Sequence, residues 1–560
     1  MKNQKVKSIS KVKITNQTKT LLATSMMLVA GLGIYFAFAL SMPNNTQKST
    51  IKQLNTDNQL TKVTSIDNKN PLIAEQLGYD KKINSLGESV FYPDHAEGWP
   101  VFTGDHMFVQ PPSIADINND GQKELVATNE SGTYAWQKNG RIIEGWPYLT
   151  TPWNNYFAPA LADTNNDNNL EIFGGGSATS IFGLNNEGAL LNGWPYPIYY
   201  SADHSSIAYD INRDGKIEII GGQRWPGQKG GVYVWDANGV LLPGWPKEIT
   251  ESDHINSLAI GDINGDGGYE IIATGGWKIY IWDAAGNSLG NWPRTLEPWS
   301  QTFPGHPGTY YNNPLSLVVG DINNDGQNDL VTFTYNYAYD NNLKRIWVHA
   351  VNIKGQELPG FPVEIPNLYG YFRPGLTLAD LNKDGKLEII VPTLTKLLIV
   401  HNDGSFKFLP DDLIPGAAYI GFRGSVVADI NNDNEMEILS PIYMDNDTWQ
   451  NGNEWGTIYA WNADRKIVDG FPIELPWTPT SGLSIEDLDG DGKIEISGGF
   501  AEYNEIGRVS RAGTYVLNLP GTYDAKKVEW GTFAHDIKNT NNYRLKKTTI
   551  IDTDFVPTTQ

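Results

Sequence analysis

Residues 206–246 read SIAYDINRDGKIEIIGGQRWPGQKGGVYVWDANGVLLPGWP, and this stretch carries the pattern that decides the fold. Short apolar or β-branched runs at 206–209, 216–220, 231–235 and 240–243 are separated by turn residues, which predicts four consecutive strands. The acidic sequence DINRDG joins the first two runs, and an Asn-Gly pair predicts a hairpin turn between the last two. The stretch therefore predicts one four-stranded antiparallel unit.

The acidic loop of this unit recurs along the chain in the form Asp-x-Asn-x-Asp-Gly-x-x-Glu. Successive copies begin 47 to 59 residues apart, which fits one propeller blade per copy. A single blade cannot bury both faces, so blades must stack and the ring must close. We predict an all-β propeller of eight four-stranded antiparallel blades; a seven-bladed ring with one displaced unit is the alternative. The eight loops begin at Asp116, Asp163, Asp210, Asp262, Asp321, Asp380, Asp429 and Asp487.

A Gly-Trp-Pro or Gly-Phe-Pro element closes most of the repeats. These aromatic residues are either stacking platforms for sugars or packing groups between blades, and their recurrence in nearly every repeat favours packing. Residues 530–536 resemble residues 99–105, which predicts a degenerate last copy at Trp530 and two termini that meet at the closing seam. The aromatic residues are Trp99, Trp146, Trp194, Trp245, Trp292, Phe361, Phe471 and Trp530.

Each acidic loop has the composition of a calcium site. Calcium takes six to eight oxygen ligands at flexible geometry, and loop positions 1, 3, 5 and 9 offer carboxylate or amide oxygens. A Gly at position 6 permits a sharp turn. The predicted ligands are Asp116, Asn118, Asp120, Glu124, Asp163, Asn165, Asp167, Glu171, Asp210, Asn212, Asp214, Glu218, Asp262, Asn264, Asp266, Glu270, Asp321, Asn323, Asp325, Asp329, Asp380, Asn382, Asp384, Glu388, Asp429, Asn431, Asp433, Glu437, Asp487, Asp489, Asp491 and Glu495.

The acid at position 9 distinguishes a metal-binding loop from an ordinary turn. Asp, Asn and Gly are common turn formers, but an acid at position 9 of all eight loops falls at the start of a predicted strand, where acids are disfavoured. An EF-hand needs a Glu at position 12, whereas Ala127 stands there in the first loop. Magnesium keeps its waters and seldom fills an all-protein cage. Asn168 and Asn434 replace the Gly at position 6, and Asn tolerates the left-handed conformation.

The loops, the strands around them and the Gly-Gly endings at 174–175 and 221–222 resemble the FG-GAP/VCBS repeat family. Integrin α-chain propellers and several bacterial surface proteins belong to this family. The resemblance covers about residues 93–540 and implies a propeller with calcium held in hairpin loops. The family's functions include adhesion, glycan binding and polysaccharide lyase activity, and the fold alone does not choose among them.

Charge and composition exclude several classes of function. The chain has 560 residues and a formal net charge of −22, which argues against nucleic-acid binding because phosphate contacts need clustered Lys and Arg. It contains no Cys, which excludes disulfides, thiol catalysis and Cys-based zinc sites. An exported protein without disulfides needs another means of fixing its loops, and a metal ion is a candidate.

The N-terminus predicts export. Six lysines precede the uncharged residues 21–41, which are long enough to cross a bilayer as a helix. The same segment fits a signal peptide, with a small-x-small cleavage motif at residues 37–39. Either alternative places the rest of the chain outside the cytoplasm, membrane-anchored or secreted.

These observations divide the chain into four parts. Residues 1–42 are the basic tail and the anchor or signal peptide, and residues 43–92 are a flexible spacer. Residues 93–540 form the propeller, and residues 541–560 a C-terminal tail.

A shared binding site is predicted where the inner strands begin. Propellers usually bind ligands around the central channel, and His204, His254 and Arg373 all precede an inner strand. The alternative is that each is a turn residue of its own blade. The sequence favours a module that binds a glycan or protein on a cell surface or in the matrix, without catalytic residues. The alternative is a lyase acting on an acidic polysaccharide, in which a His abstracts the proton alpha to a uronate carboxylate.

Overall fold

The computed structural model describes residues 94–542 apart from short segments, together with two strands upstream. The segments that it leaves out are 151–157, 176–179, 199–204, 224–229, 250–254, 299, 304–305, 337–345, 366–374, 394–395, 410–416, 421–423, 445–454, 504–507, 533 and 537. The chain divides into two units, Met1–Val63 and Thr64–Gln560, and the described residues all belong to the second. The predicted apolar segment 21–41 lies outside the described residues. Among the helices that the structure does describe, none is long and apolar enough to span a membrane.

The described chain is almost entirely β-structure. The strands up to residue 295 are β1 (Lys82–Ile83), β2 (Ser89–Val90), β3 (Val101–Gly104), β4 (Ser113–Ala115), β5 (Glu124–Asn129), β6 (Gly132–Gln137), β7 (Tyr148–Leu149), β8 (Ala160–Ala162), β9 (Glu171–Gly175), β10 (Ser180–Leu184), β11 (Tyr196–Pro197), β12 (Ile207–Tyr209), β13 (Glu218–Gln223), β14 (Gly231–Trp235), β15 (Lys247–Glu248), β16 (Ser257–Gly261), β17 (Glu270–Gly275), β18 (Lys278–Trp282) and β19 (Arg294–Thr295). The later strands are β20 (Ser300–Phe303), β21 (His306–Gly320), β22 (Asp329–Asn336), β23 (Ile346–Val351), β24 (Val363–Ile365), β25 (Thr377–Ala379), β26 (Glu388–Pro392), β27 (Leu397–Val400), β28 (Phe406–Leu409), β29 (Ala417–Ile420), β30 (Val426–Ala428), β31 (Glu437–Met444), β32 (Trp455–Asn462), β33 (Ile473–Leu475), β34 (Thr478–Glu486), β35 (Lys493–Tyr503), β36 (Val509–Thr522) and β37 (Val528–Trp530). One 3-10 helix, Ala525–Lys527, precedes β37.

These strands form eight antiparallel blades around one ring. Blade 1 is β4–β7, blade 2 β8–β11, blade 3 β12–β15, blade 4 β16–β19, blade 5 β21–β24, blade 6 β25–β28, blade 7 β30–β33, and blade 8 β34–β36 with β3. The first strand of each blade, here called the inner strand, contacts the inner strands of neighbouring blades. The predicted eight-bladed propeller is confirmed, and the seven-bladed alternative is wrong.

The core lies between adjacent blades. One apolar cluster, for example, joins Ile220 and Val232 of blade 3 to Ile271 and Tyr280 of blade 4, all at most 4% exposed. Fully burying such a side chain contributes about 1.5–3 kcal/mol, so each blade is stabilised by its neighbour. This packing explains why the strands carry apolar side chains on both faces.

The aromatic residues of the Gly-Trp-Pro elements bind the next blade. Trp194 is 6% exposed, and its indole Nε1–H donates to the carbonyl of Ala237 in the following blade at 2.9 Å. The preceding Gly193 has φ of +85°, and a Cβ there would lie 1.8 Å from the Asn238 carbonyl oxygen. The indole groups of Trp99, Trp146, Trp245 and Trp292 make the same bond at 2.8–3.0 Å. Packing between blades, rather than sugar stacking, is therefore confirmed for these residues.

The ring closes by pairing strands from opposite ends of the chain. The N-terminal β3 is the outer strand of blade 8, with Val101 opposite Thr514 of β36. The closing aromatic residue of blade 8 is accordingly Trp99, which precedes β3. The prediction that Trp530 is the last copy of this element was wrong, because Trp530 lies in β37 and pairs with Val427 of an inner strand.

The described C-terminal residues 528–532, 534–536 and 538–542, here called the channel segment, run along the inner strands. The segment begins in β37 beside blade 7, where Glu529 Oε2 accepts the Asp380 N–H of blade 6 at 3.2 Å. It then bonds to blades 8, 3, 4 and 5 in turn, and Asn542 pairs with Val319 of blade 5. The segment thus fills the centre of the ring. It also runs two residues into the predicted C-terminal tail, whose other residues lie outside the described part.

Candidate metal centres

The eight acidic loops lie on one rim of the propeller. Each loop connects an inner strand to the second strand of its blade, and we number loops 1 to 8 with the blades. Neighbouring loops touch through position 8: the Leu170 N–H donates to the Ile117 carbonyl at 2.9 Å, and Asn328 Nδ2 donates to the Asp262 carbonyl at 2.9 Å. Lys123 Nζ of loop 1 likewise donates to the Asp487 carbonyl of loop 8 at 3.0 Å.

All eight loops share one hydrogen-bond network, which loop 3 illustrates. Asp210 Oδ2 accepts the Gly215 N–H at 3.0 Å, and Asn212 Oδ1 accepts the Asp214 N–H at 2.8 Å. Asp214 Oδ1 in turn accepts the Lys216 N–H at 2.9 Å. These bonds curl the side chains of positions 1, 3 and 5 towards the inside of the loop. The corresponding bonds of the other loops are 2.6–3.1 Å long.

The acid at position 9 closes each loop from a buried position. In loop 3, Glu218 is 3% exposed, and its Oε2 accepts the Ile211 N–H at 3.0 Å. The same bond to the N–H of position 2 is 2.8–3.2 Å long in the other seven loops. The eight position-9 acids are at most 3% exposed: Glu124, Glu171, Glu218, Glu270, Asp329, Glu388, Glu437 and Glu495.

Burial makes these glutamates weak acids. Loss of solvation raises their pKa above the ordinary value of 4.5, and the aspartates at positions 1 and 5 raise it further, against the lowering effect of the position-2 N–H. The pKa is raised in Glu171 and Glu388, to about 7 in Glu124, Glu218, Glu270 and Glu437, and to about 8 in Glu495. A cation among these oxygens would favour the ionised form.

Two positions of each loop adopt the left-handed conformation. At position 6, Asn168 and Asn434 both have φ of +69°, which confirms that Asn can replace the Gly there. Position 4 is left-handed in every loop as well, and the sequence analysis missed it. The sequence gives little sign of this conformation, because residues other than Gly or Asn can occupy position 4: Arg213 and Lys383 both have φ of +58° there. The loop network holds these side chains in a conformation that favours glycine.

The donor set of the loops fits calcium. In loop 8, the carboxylates of Asp487, Asp489 and Asp491 each bring one oxygen within 4.8 Å of the others. In loop 6, Asp380 Oδ1 is buried and has no hydrogen-bond partner in the described part of the chain. Hard carboxylate and amide oxygens without nitrogen or sulfur are the ligands that calcium prefers.

Loops 6, 7 and 8 each have a basic side chain beside one of their acids, and in loop 8 Lys493 Nζ lies 2.9 Å from Asp491 Oδ2. Lys527 Nζ lies 2.6 Å from Asp429 Oδ2 of loop 7, so an ammonium group already contacts the first carboxylate of that loop. In loop 6, His401 Nδ1 lies 3.2 Å from Glu388 Oε1 and lowers the pKa of this glutamate against the effect of burial. None of these contacts was predicted from the sequence.

The predicted ligand contacts His204, His254 and Arg373 lie outside the described residues. The residues that follow the two histidines, Ser205 and Ile255, are buried at the beginning of blades 3 and 4. A described histidine ahead of blade 1, His106, lies 3.5 Å from Glu130 and 3.7 Å from Asp105. The shared site therefore stays a prediction.

Family models match four parts of the chain. An FG-GAP-like repeat matches residues 116–174, 210–273 and 380–440, and an FG-GAP repeat matches residues 313–349. The matched stretches contain loops 1, 2, 3, 4, 5, 6 and 7, and the predicted FG-GAP resemblance is confirmed. No curated protein matches the sequence.

Several solved structures resemble this chain at low identity and with TM-scores below 0.5. The V. cholerae biofilm matrix protein Bap1 is 14% identical, with a TM-score of 0.36 over 80% of this chain and 87% of that one. A Bacillus licheniformis rhamnogalacturonan lyase is 13% identical, with a TM-score of 0.34 over 77% of each chain. The rhamnogalacturonan lyase YesW is 13% identical, with a TM-score of 0.29 over 78% of this chain and 95% of that one. At this level of similarity, no activity of those proteins transfers to this chain.

Proposed function

Because the chain carries FG-GAP repeats in an eight-bladed propeller, we propose that it is a calcium-stabilised binding module outside the cytoplasm. Its ligand is a glycan or a protein on a cell surface or in the matrix. The observation that carries the proposal is the row of eight buried position-9 carboxylates on one rim.

Calcium supplies the positive charge that such a rim needs. An ionised carboxylate is costly to bury unless it is paired with a cation or fully hydrogen-bonded. The oxygens of positions 1, 3, 5 and 9 would hold the ion in each loop, as the curled network and the unpartnered Asp380 Oδ1 support. Bound only by the folded chain, calcium adds about 2.7 kcal/mol per site at a hundredfold excess over its Kd.

The export proposal rests on the basic N-terminus and the uncharged residues 21–41 that follow it. The binding proposal rests on the surface that the fold leaves available. The channel segment fills the centre of the ring, and the recurrent Trp residues pack between blades. We therefore propose that the ligand binds outside the channel, where the inner strands begin, with His204, His254 and Arg373 as its contacts.

The calcium proposal is tested by metal content and melting temperature. The purified protein should bind several calcium ions, and EDTA should lower its melting temperature. Asp210→Ala should remove one ion, whereas Asp236→Ala, in a hairpin turn of the same blade, should remove none. A protein that binds no calcium and melts at the same temperature with and without EDTA would refute the proposal.

The binding proposal is tested with anionic polysaccharides. His204→Ala, His254→Ala and Arg373→Ala should each weaken binding in calcium buffer while the melting temperature stays within a few degrees. Ile255→Ala is the control, because it removes a buried side chain and should lower the melting temperature instead. The appearance of unsaturated-sugar absorbance would overturn the binding module in favour of the lyase.

A further inference from the structure

The inner edge of a propeller leaves backbone groups without partners. Within its blade, the inner strand pairs only with the second strand, and the described strands add a further partner only in blade 5 (β20) and blade 7 (β37). Much of the other edge therefore presents N–H and carbonyl groups to the channel. The channel segment satisfies these groups in one blade after another. The Ile485 N–H donates to Gly531 at 2.8 Å, the Ala208 N–H to Lys538 at 3.2 Å. The N–H groups of Ile260 and Val319 donate to Thr540 and Asn541 at 3.1 and 2.9 Å.

Asparagine side chains of the segment recognise the remaining carbonyls. Asn539 is 2% exposed, and its Nδ2 donates to the carbonyls of Ala158 and Ser206, both at 3.1 Å. Asn542 is 1% exposed, and its Nδ2 donates to the Ile260 carbonyl at 2.8 Å. The amide nitrogens of both residues therefore face carbonyl acceptors.

The surroundings hold the segment in a conformation that its residues do not favour. Ala534 and His535 have φ of +54° and +80°, a region that costs a residue with a Cβ about 1 kcal/mol or more. Asn539 and Asn541 are left-handed as well, at +59° and +53°. Asp536, whose side chain is 9% exposed, fixes this turn by accepting the Lys538 N–H at 2.9 Å and the Thr540 hydroxyl. The channel thus selects the shape of the segment.

The segment is also fastened where it enters the channel. The Lys527 carbonyl accepts the Asp429 N–H at 2.9 Å, and the Lys527 ammonium lies 2.6 Å from the carboxylate of the same residue. Beside the segment, a cavity lined by Gly375, Ser425 and Trp530 has a volume of only about 10 Å³, room for about one water molecule. The segment therefore packs closely against the channel wall at Trp530.

We propose that the central channel is a recognition site for a peptide segment with asparagine side chains, and that the channel segment is the ligand it holds in cis. Main-chain bonds to strand edges give such a site affinity, and side-chain amides that face carbonyls give it specificity. An aspartate in place of Asn539 or Asn542 would turn a donor into an acceptor facing an acceptor. The site rejects an aspartate at these two positions for this reason. This inference goes beyond the proposed function and does not depend on calcium.

The test uses the full chain with Asn539→Asp and Asn542→Asp, two nearly isosteric changes that weaken the segment in cis. The probe is a fluorescein-labelled peptide of residues 524–542 with the native sequence, followed by anisotropy. The variant should bind the peptide saturably, and the wild type at least a hundredfold more weakly, because its own segment competes at an effective concentration in the millimolar range. A peptide carrying the same two aspartates should bind neither protein.

Lys526→Ala is the matched control, because Lys526 is exposed just ahead of the segment and should leave the channel closed. Equal binding of the native and aspartate peptides would overturn the proposal. Absence of binding to a variant with wild-type circular dichroism would do the same. If the variant does not fold, hydrogen exchange of the wild-type protein tests the proposal instead. The amides of Ala208, Ile260 and Val319 should be as protected as that of Ile219. Fast exchange of these amides would overturn the proposal.

Discussion

Glu218→Gln should stabilise the calcium-free protein and destabilise the calcium-bound one. Glu218 is buried, and its oxygens accept the Ile211 N–H at 3.0 Å and Asn212 Nδ2 at 3.2 Å. Glutamine keeps an oxygen for the backbone N–H and removes the buried charge. Without a cation, the charge is the unfavourable element of the loop; with calcium, it is a ligand.

The magnitude follows from the pKa of Glu218, which burial raises from 4.5 to about 7. At 1.36 kcal/mol per pKa unit, keeping this glutamate ionised above pH 7 costs the folded state about 3 kcal/mol. Glutamine avoids this cost but loses one hydrogen bond worth about 1 kcal/mol, which leaves a gain of about 2 kcal/mol.

The pH dependence of stability shows under which conditions Glu218→Gln should stabilise the protein. Since the folded state holds the proton up to about pH 7 and the unfolded chain releases it near pH 4.5, the calcium-free wild type loses stability as pH rises through this window. The gain from glutamine is therefore expected at pH 8 and should vanish at pH 4.5.

The assay is urea denaturation followed by tryptophan fluorescence, with EDTA or calcium, at pH 4.5 and 8. Glu187→Gln, at an exposed hairpin position of blade 2, is the control and should change the free energy of unfolding by less than about 0.5 kcal/mol. A Glu218→Gln protein that is less stable than wild type in EDTA at pH 8 would refute the reasoning.

Three further changes test other contacts. The double variant Ser484→Cys, Thr532→Cys should form an intramolecular disulfide, because the two hydroxyl oxygens are 2.8 Å apart and the chain has no other Cys. The disulfide should be visible as faster migration on a non-reducing gel, and a cross-linked dimer would contradict the course of the segment in cis. Trp194→Phe should lower the free energy of unfolding by about 1–2 kcal/mol through loss of its bond to the next blade, and unchanged stability in denaturation would count against that bond. Asp429→Ala should release less calcium than Asp210→Ala when metal content is measured, since an ammonium group already lies 2.6 Å from Asp429; equal losses would show that it does not matter.

The blades and the loops could be predicted because each is a local pattern repeated eight times. An acid at position 9, such as Glu218, is informative since a strand does not favour it unless its carboxylate has a local role. The structure gives that carboxylate the N–H of position 2, a contact seven residues away in the sequence. The left-handed position 4 was missed because Arg213 and Lys383 do not reveal it; the surrounding hydrogen bonds impose the conformation.

The channel segment could not be predicted because its bonds reach across the whole ring. Asn539 contacts residues more than 330 positions earlier in the chain. Trp530 was wrongly predicted to close a blade because residues 530–536 share the Trp-x-x-Phe-x-x-Asp spacing of residues 99–105. Its strand pairs with an inner edge instead. Residues 534–541 show no strand periodicity either, because their left-handed turns follow the channel wall.

The loop rim and the channel segment act on several of the same inner strands from different sides. Each inner strand ends at a loop whose position-2 N–H is bonded to the buried acid, and the free edge of several of these strands is bonded to the segment. Removing the loop charges and removing the segment should therefore not be independent: residues of one hydrogen-bonded network couple energetically, whereas distant ones add. Glu218 and Asn539 bond to Ile211 and Ser206, which flank the inner strand of blade 3 at its two ends. Combining Glu218→Gln with Asn539→Asp should therefore give a change in the free energy of unfolding that differs from the sum of the changes in the two single variants. In the control pair, Glu124→Gln takes the place of Glu218→Gln, because the inner strand of blade 1 lies apart from Asn539. The two changes in free energy should then add. Additive changes in both pairs would show that the rim and the channel are stabilised separately.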